Sequence, residues 1–149
     1  TRLGWGKLQG APAKMVLGNV GGGFVPIERG ASGKSMREMP AGEPVYMTEG
    51  IEDAIAVRMI KPEARIIAGV NLGNMGAVLL PEQAGPLVIV ADRDEGDRAQ
   101  VGLEGAIARQ QSRGLTVQLV VPPREVAGEP VKDINDWVRA LVRQKREVA

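Results

Sequence analysis

The sequence predicts an α/β protein built on a four-stranded parallel sheet flanked by helices, and three observations carry that expectation. Four apolar runs of strand length, at 45–48, 65–68, 87–91 and 115–121, alternate with stretches of helical periodicity, the pattern of strands joined by crossover helices. The run Leu87-Val-Ile-Val-Ala91 is apolar without interruption, as a strand covered on both faces must be. It ends on Asp92-Arg-Asp94, which puts two carboxylates at the carboxyl end of a buried strand, where open α/β sheets bind ligands.

Before Glu43 the chain is rich in glycine, including Gly21-Gly-Gly23, and holds two short apolar pieces, Met15-Val-Leu17 and Phe24-Val-Pro-Ile27. These predict a small antiparallel β element, so the chain divides into a basic Gly-rich segment, 1–42, and a catalytic domain, 43–149. Gly33-Lys34-Ser35 has the closing letters of a Walker loop, but Gly30 lies only three residues earlier and no apolar helix follows. The letters therefore read as coincidence.

After the first strand, Ile51, Ala54, Ile55 and Met59 fall at helical spacing before Pro62 ends the helix. The second strand closes at Gly69, and Asn71-Leu-Gly-Asn-Met-Gly76 leads into a short helix toward Leu80, stopped by Pro81. A helix from Asp97 to Ser112 follows the third strand, with Gly114 at its C-terminal capping position. Past the fourth strand and the loop 122–132, a last helix shows the apolar stripe Ile134, Trp137, Val138, Leu141 and Val142, with Trp137 expected in the core.

A chain of 149 residues with 44% apolar and 25% charged content suits one domain with an appendage. It contains no cysteine and no histidine, which excludes disulfides, thiolate or imidazole metal sites, cysteine nucleophiles and imidazole bases. Chemistry must run on carboxylates, Lys, Arg and hydroxyls. The formal net charge of +1 hides an asymmetry: residues 1–42 hold six basic against two acidic residues, a net of +4, and the remainder thirteen against sixteen, a net of −3. A basic segment on an acidic body suits a protein that neutralises phosphates with one part and binds cations with the other. With no apolar run near the ~20 residues of a membrane span and no signal-peptide pattern, the expectation is a cytoplasmic protein without a membrane partner. The opening residue is Thr1 rather than Met, which suggests a piece cut from something longer.

Side chains alternate along a strand, so Asp92 and Asp94 would share a side, with Arg93 pointing away. Crowded carboxylates resist joint ionisation and favour a shared proton or a hard divalent cation such as Mg²⁺ or Mn²⁺. Glu49 follows the first strand, Asn71 the second, and Asp133 the loop after the fourth, while Asp53 lies about one turn beyond Glu49. All of them belong to one edge of the sheet. Each also has a structural alternative: Asp53 as complement to its helix N-terminus, Asp133 with Asp136 as an N-cap, Glu49-Gly50 as a turn, Asn71 as a left-handed turn residue, and Asp92 with Asp94 as a solvated turn.

The segments Thr48-Glu-Gly-Ile-Glu-Asp-Ala54, Ala68-Gly-Val-Asn71, Val90-Ala-Asp-Arg-Asp94 and Lys132-Asp-Ile-Asn-Asp136, in this order, resemble the motifs of the Toprim domain shared by primases, topoisomerases and some nucleases. The resemblance covers about residues 43–141 and is nearest to the Toprim domains of phage and plasmid primase/helicase proteins. It implies a Toprim-like, Rossmann-like sheet and a Mg²⁺ site. There the residue matching Glu49 acts as general acid/base or ligand, those matching Asp92 and Asp94 hold metal, and those matching Asp53 and Asp133 support it. The sequence departs at Asn135, where many primases place a second acid.

The resemblance favours a DNA primase domain that makes RNA primers from nucleoside triphosphates on a single-stranded DNA template. Its partners would be helicase and zinc-module regions of a larger replication protein. A metal-dependent nuclease and a non-catalytic nucleic-acid or nucleotide-binding module are the alternatives. Arg29, Lys34, Arg37 and Arg93 are the expected guides of the polyanion. A topoisomerase would need a tyrosine nucleophile, and Tyr46, the single tyrosine, lies inside a predicted buried strand.

Overall fold

The computed structural model describes residues 19–93 and 96–149. Alternating apolar and turn-forming stretches give a five-stranded sheet: β1 (Val25–Arg29), β2 (Val45–Thr48), β3 (Arg65–Ala68), β4 (Leu87–Val90) and β5 (Val117–Val120). Its spatial order is β1-β3-β2-β4-β5, with β3, β2, β4 and β5 parallel. Those four are the strands the sequence predicts. The fifth, β1, comes from the Gly-rich segment and pairs antiparallel with β3, Val25 opposite Ala68 and Arg29 opposite Arg65. Residues 25–29 of the segment 1–42 are thus part of the sheet. Pro26, which has no N–H, is tolerated because β1 is an edge strand. The other expected strand, Met15–Leu17, lies outside the described residues.

The long crossovers are helical: α1 (Ile51–Ile60) joins β2 to β3, a single turn α2 (Leu72–Met75) precedes β4, α3 (Asp97–Ser112) joins β4 to β5, and α4 (Ile134–Val148) ends the chain. A two-residue hairpin, β6 (Glu125–Val126) and β7 (Glu129–Pro130), occupies the loop after β5. Ala127 and Gly128 at its tip both have positive φ, 50° and 80°, as the mirror-image turns favoured in hairpins require.

Strand alternation splits the core in two. Val45, Met47, Ile67, Leu87 and Ile89 face Met75, Val78 and Ala106 on the α2/α3 side. Ile66, Ala68, Val88 and Val90 face Ala54, Val57, Ile134 and Val138 on the α1/α4 side. At ~25 cal/mol per Å² of apolar surface removed from water, these two layers are the main source of stability. The face of α1 differs from the expected stripe: Ala54, Ala56 and Val57 are buried, while Ile51, Ile55 and Met59 are 45%, 49% and 64% exposed. Small side chains let α1 sit close to the sheet and to α4, which turns its larger apolar residues outward. On α4, Ile134 and Val138 are buried as expected, but Trp137 is only partly so.

Buried polar side chains hold the corners. Asn74 is 6% exposed. Its Nδ2 donates to the carbonyls of Gly23 and Gly69 and its Oδ1 accepts from Gly22 N–H, each at 2.8 Å. Gln110, fully buried, donates from Nε2 to the carbonyls of Met75 and Val78 at 2.7 and 2.9 Å, completing backbone groups left open by the short α2. At the amino edge, Arg65 is 2% exposed and donates to Glu43 at 2.7 Å and to the Lys34 carbonyl at 3.0 Å.

Candidate active site

From β2 the chain turns through α1 to β3 on one side, and from β4 through α3 to β5 on the other, although β2 and β4 are neighbours. Their carboxyl ends therefore flank the topological switch point, where strand direction opens a crevice. A cleft of about 500 Å³ lies there, and Glu49, Asp53 and Asp92 all line it, with Leu72, Leu103 and Arg98 opposite. That volume is within the usual range for small-molecule sites.

Each acid is placed by local structure. Thr48, the fully buried last residue of β2, donates from Oγ1 to the carbonyl of Gly50 at 2.7 Å, which shapes the Glu49-Gly50 turn. Gly50 is the N-cap of α1, and a Cβ there would stand 3.3 Å from Asp53 Oδ2, so the small residue leaves room for that carboxylate. Asp92 continues the alternation of Val88 and Val90 onto the α1/α4 side and accepts a hydrogen bond from the Ile134 N–H at 2.9 Å. Asp133 is the N-cap of α4, accepting from Asp136 N–H at 2.8 Å. Asn135 donates from Nδ2 to Asp53 Oδ1 at 3.4 Å. The motif 132–136 thus uses consecutive residues to start a helix and to reach two acids from two other elements.

The electrostatics are those of concentrated negative charge. Burial pushes the Asp53 carboxyl up to about 6, helped by Asp92, Asp133, Glu49 and Glu52. Asp53 sits in the first turn of α1, where the helix N-terminus favours an anion by ~0.3–1 kcal/mol. Burial and the surrounding carboxylates outweigh that preference in setting its proton affinity.

Not every expected residue is in the cleft. Glu49, Asp53 and Asp92 line it together; Asp133 is spent on capping α4 but is close enough to perturb Asp53; Asp94 lies outside the described residues. Asn71 is extended, with φ −154°, and caps α2 by accepting from Asn74 N–H at 2.9 Å, so it is not a left-handed turn residue. The left-handed residue is its neighbour Val70, with φ 76°. The Arg93 guanidinium donates to the Pro122 carbonyl beyond β5. Arg29 stands opposite Arg65 at the start of β3, the Lys34 carbonyl accepts from Arg65, and the Arg37 carbonyl accepts from Gln83. The first two are thus placed at the amino edge, across the sheet from the acids. The cleft's own cation, Arg98, went unnoticed in the sequence, although a basic residue in the first turn of the helix after the acidic strand end is the available signal.

The donor set is all oxygen, and burial together with the neighbouring carboxylates raises Asp53 to about 6; oxygen donors under such repulsion suit a hard divalent ion such as Mg²⁺. Among the described residues no three acidic side chains converge closely enough to hold a metal ion.

Fold and cleft together define a doubly wound α/β protein that presents carboxylates, with neither imidazole nor thiolate, at its switch point. The Toprim domain matches residues 44–143, and the chain belongs to that family. Toprim domains bind divalent metal ions and serve metal-dependent nucleic-acid enzymes or binding proteins. Comparison with curated proteins and with solved structures finds no match. No helix among the described residues is long and apolar enough to cross a membrane.

Proposed function

We propose that this chain is the catalytic Toprim domain of a DNA primase, a Mg²⁺-dependent nucleotidyltransferase that joins nucleoside triphosphates on a single-stranded template within a larger replication protein. The observation that carries the reading is the gathering of Glu49, Asp53 and Asp92 in one switch-point cleft of nucleotide size. Glu49 and Asp92, with Asp94, would hold the ion, which when bound supplies positive charge to the phosphoryl group undergoing transfer. Asp53 gives up its proton near neutrality and adds a negative charge beside them. Asn135 donates to Asp53 rather than adding another like charge, so an acid at 135 would raise the repulsion that the amide avoids. As the alternative to ligating the ion, Glu49, which caps no helix, would take a proton from the attacking hydroxyl. Arg98, on the opposite wall, would face the triphosphate.

The test is product analysis with single-stranded DNA, Mg²⁺ and labelled nucleotides. Primer-length products, lost in Glu49→Gln, support the proposal. Shortening of the DNA would make the protein a nuclease using the same acids, and metal-independent binding without product would make it a non-catalytic module.

A further inference from the structure

Because α1 packs through its small residues, a groove of about 400 Å³ is left open between α1 and α4. Its floor is apolar: Ala56 and Met59 on α1, Val138 and Val142 on α4. Along its α4 wall stand Arg139, Arg143 and Arg146, which share one helix face at spacings of four and three residues, about 6 and 4.5 Å along the axis. Arg139 is paired with Asp136 at 3.6 Å, with its side chain 70% exposed. Neither Arg143 nor Arg146 forms an ion pair among the described residues. The groove is therefore an apolar trough with a row of cations on one wall.

The head of the trough is Asn135, the residue that donates to Asp53 in the acid-lined cleft. The trough and the cleft are thus joined through one side chain. Carboxylates repel a polyanion, so a strand that must bring a phosphate to the cleft needs compensating charge beside it. The arginine row is where α4 supplies that charge.

We propose that the α1/α4 groove carries the single-stranded polynucleotide to or from the cleft, with Arg139, Arg143 and Arg146 on successive phosphates and the apolar floor against sugars and bases. This deepens the nucleic-acid reading above and rests on it. Recognition there is independent of base sequence, because the groove offers guanidinium groups and apolar surface rather than a set of base-edge donors and acceptors.

The test measures fluorescence anisotropy of a labelled oligothymidylate of about 15 nucleotides with the whole chain in EDTA, so that metal binding does not contribute. Replacing Arg139, Arg143 and Arg146 together by Gln should weaken binding at least tenfold at low salt and flatten the slope of log affinity against log salt by about 2, the loss of three single-strand phosphate contacts. Met59→Glu, which leaves every arginine in place, should also weaken binding. Melting curves confirm that the variants are folded. Unchanged affinity and slope in the triple variant, with primer synthesis intact in the wild type, would overturn the groove while sparing the function, and would leave the groove to a protein partner. Failure of the wild type to bind the oligonucleotide at low salt would overturn both.

Discussion

Asp92 accepts a hydrogen bond from the Ile134 N–H at 2.9 Å, so the carboxylate two residues past β4 also completes the first turn of α4. The two roles separate by substitution. Asp92→Asn keeps an acceptor but removes the charge, and the metal-free protein should be as stable as wild type or more so. Asp92→Ala removes both and should cost about 1 kcal/mol, as the loss of a helix cap does, or roughly 2–4 °C. In wild type, Mg²⁺ at 100 times its dissociation constant should add about 2.7 kcal/mol; both variants should lose that gain. Thermal melts with Mg²⁺ and with EDTA read all three quantities, and a large metal response in Asp92→Asn would remove Asp92 from the metal site.

Asp53 makes the metal-free protein sensitive to pH in a direction opposite to most carboxylates. Its folded-state value, about 6, lies above the ordinary 3.8, so the folded state holds the proton more tightly than the unfolded chain. Its contribution is most favourable below about pH 4 and is lost as pH rises through about 6. Comparison of wild type with Asp53→Asn in EDTA should show near-equal stability at pH 4 and a more stable variant at pH 7. A stability difference that stays constant between those pH values would show that Asp53 is not perturbed.

Asn74→Ala should destabilise the protein by about 3 kcal/mol, since it strips partners from Gly22 N–H and the carbonyls of Gly23 and Gly69 in a part-buried corner. Chemical denaturation measures it. A loss under 0.5 kcal/mol would mean that water replaces the amide without penalty.

Val70, a β-branched residue at φ 76°, holds backbone strain of about 1–3 kcal/mol next to the cap of α2. Val70→Gly relieves it and adds about 0.5–1 kcal/mol of unfolded-chain entropy, for a net gain of about 1 kcal/mol in urea unfolding. A destabilised variant would show that side-chain packing outweighs the strain.

Arg98→Ala should leave stability within about 0.5 kcal/mol, as for an exposed surface position, and weaken nucleoside triphosphate binding about tenfold by calorimetry. Equal affinity would place the triphosphate elsewhere.

The parallel strands and the placement of Glu49, Asp53 and Asp92 were legible because a buried strand and the acid at its end are both local signals. The helix from Asp97 to Ser112 was legible for the same reason, its limits being marked by turn residues on either side. Three features were not local. That β1 would add antiparallel to β3, and so bring Arg29 to the amino edge, depends on which sheet edge is open. That α1 would bury alanines and expose Ile55 and Met59 depends on how close α4 comes. The engagement of Arg93 with the Pro122 carbonyl depends on the loop after β5, which no spacing near Arg93 encodes.

The threefold grip of Asn74 has a kinetic consequence. Gly22 belongs to a surface turn, where an amide proton normally exchanges with solvent almost as fast as in a free peptide. Here that proton is held by an oxygen from a side chain that is itself fixed to the end of β3, and releasing it requires the β3–α2 corner to open. Gly22 should therefore be protected from deuterium exchange for as long as the core around Met75, while Gly21, whose N–H bonds only to the neighbouring Asn19 side chain at 2.9 Å, exchanges at once: adjacent residues in one turn, with lifetimes set by different parts of the molecule.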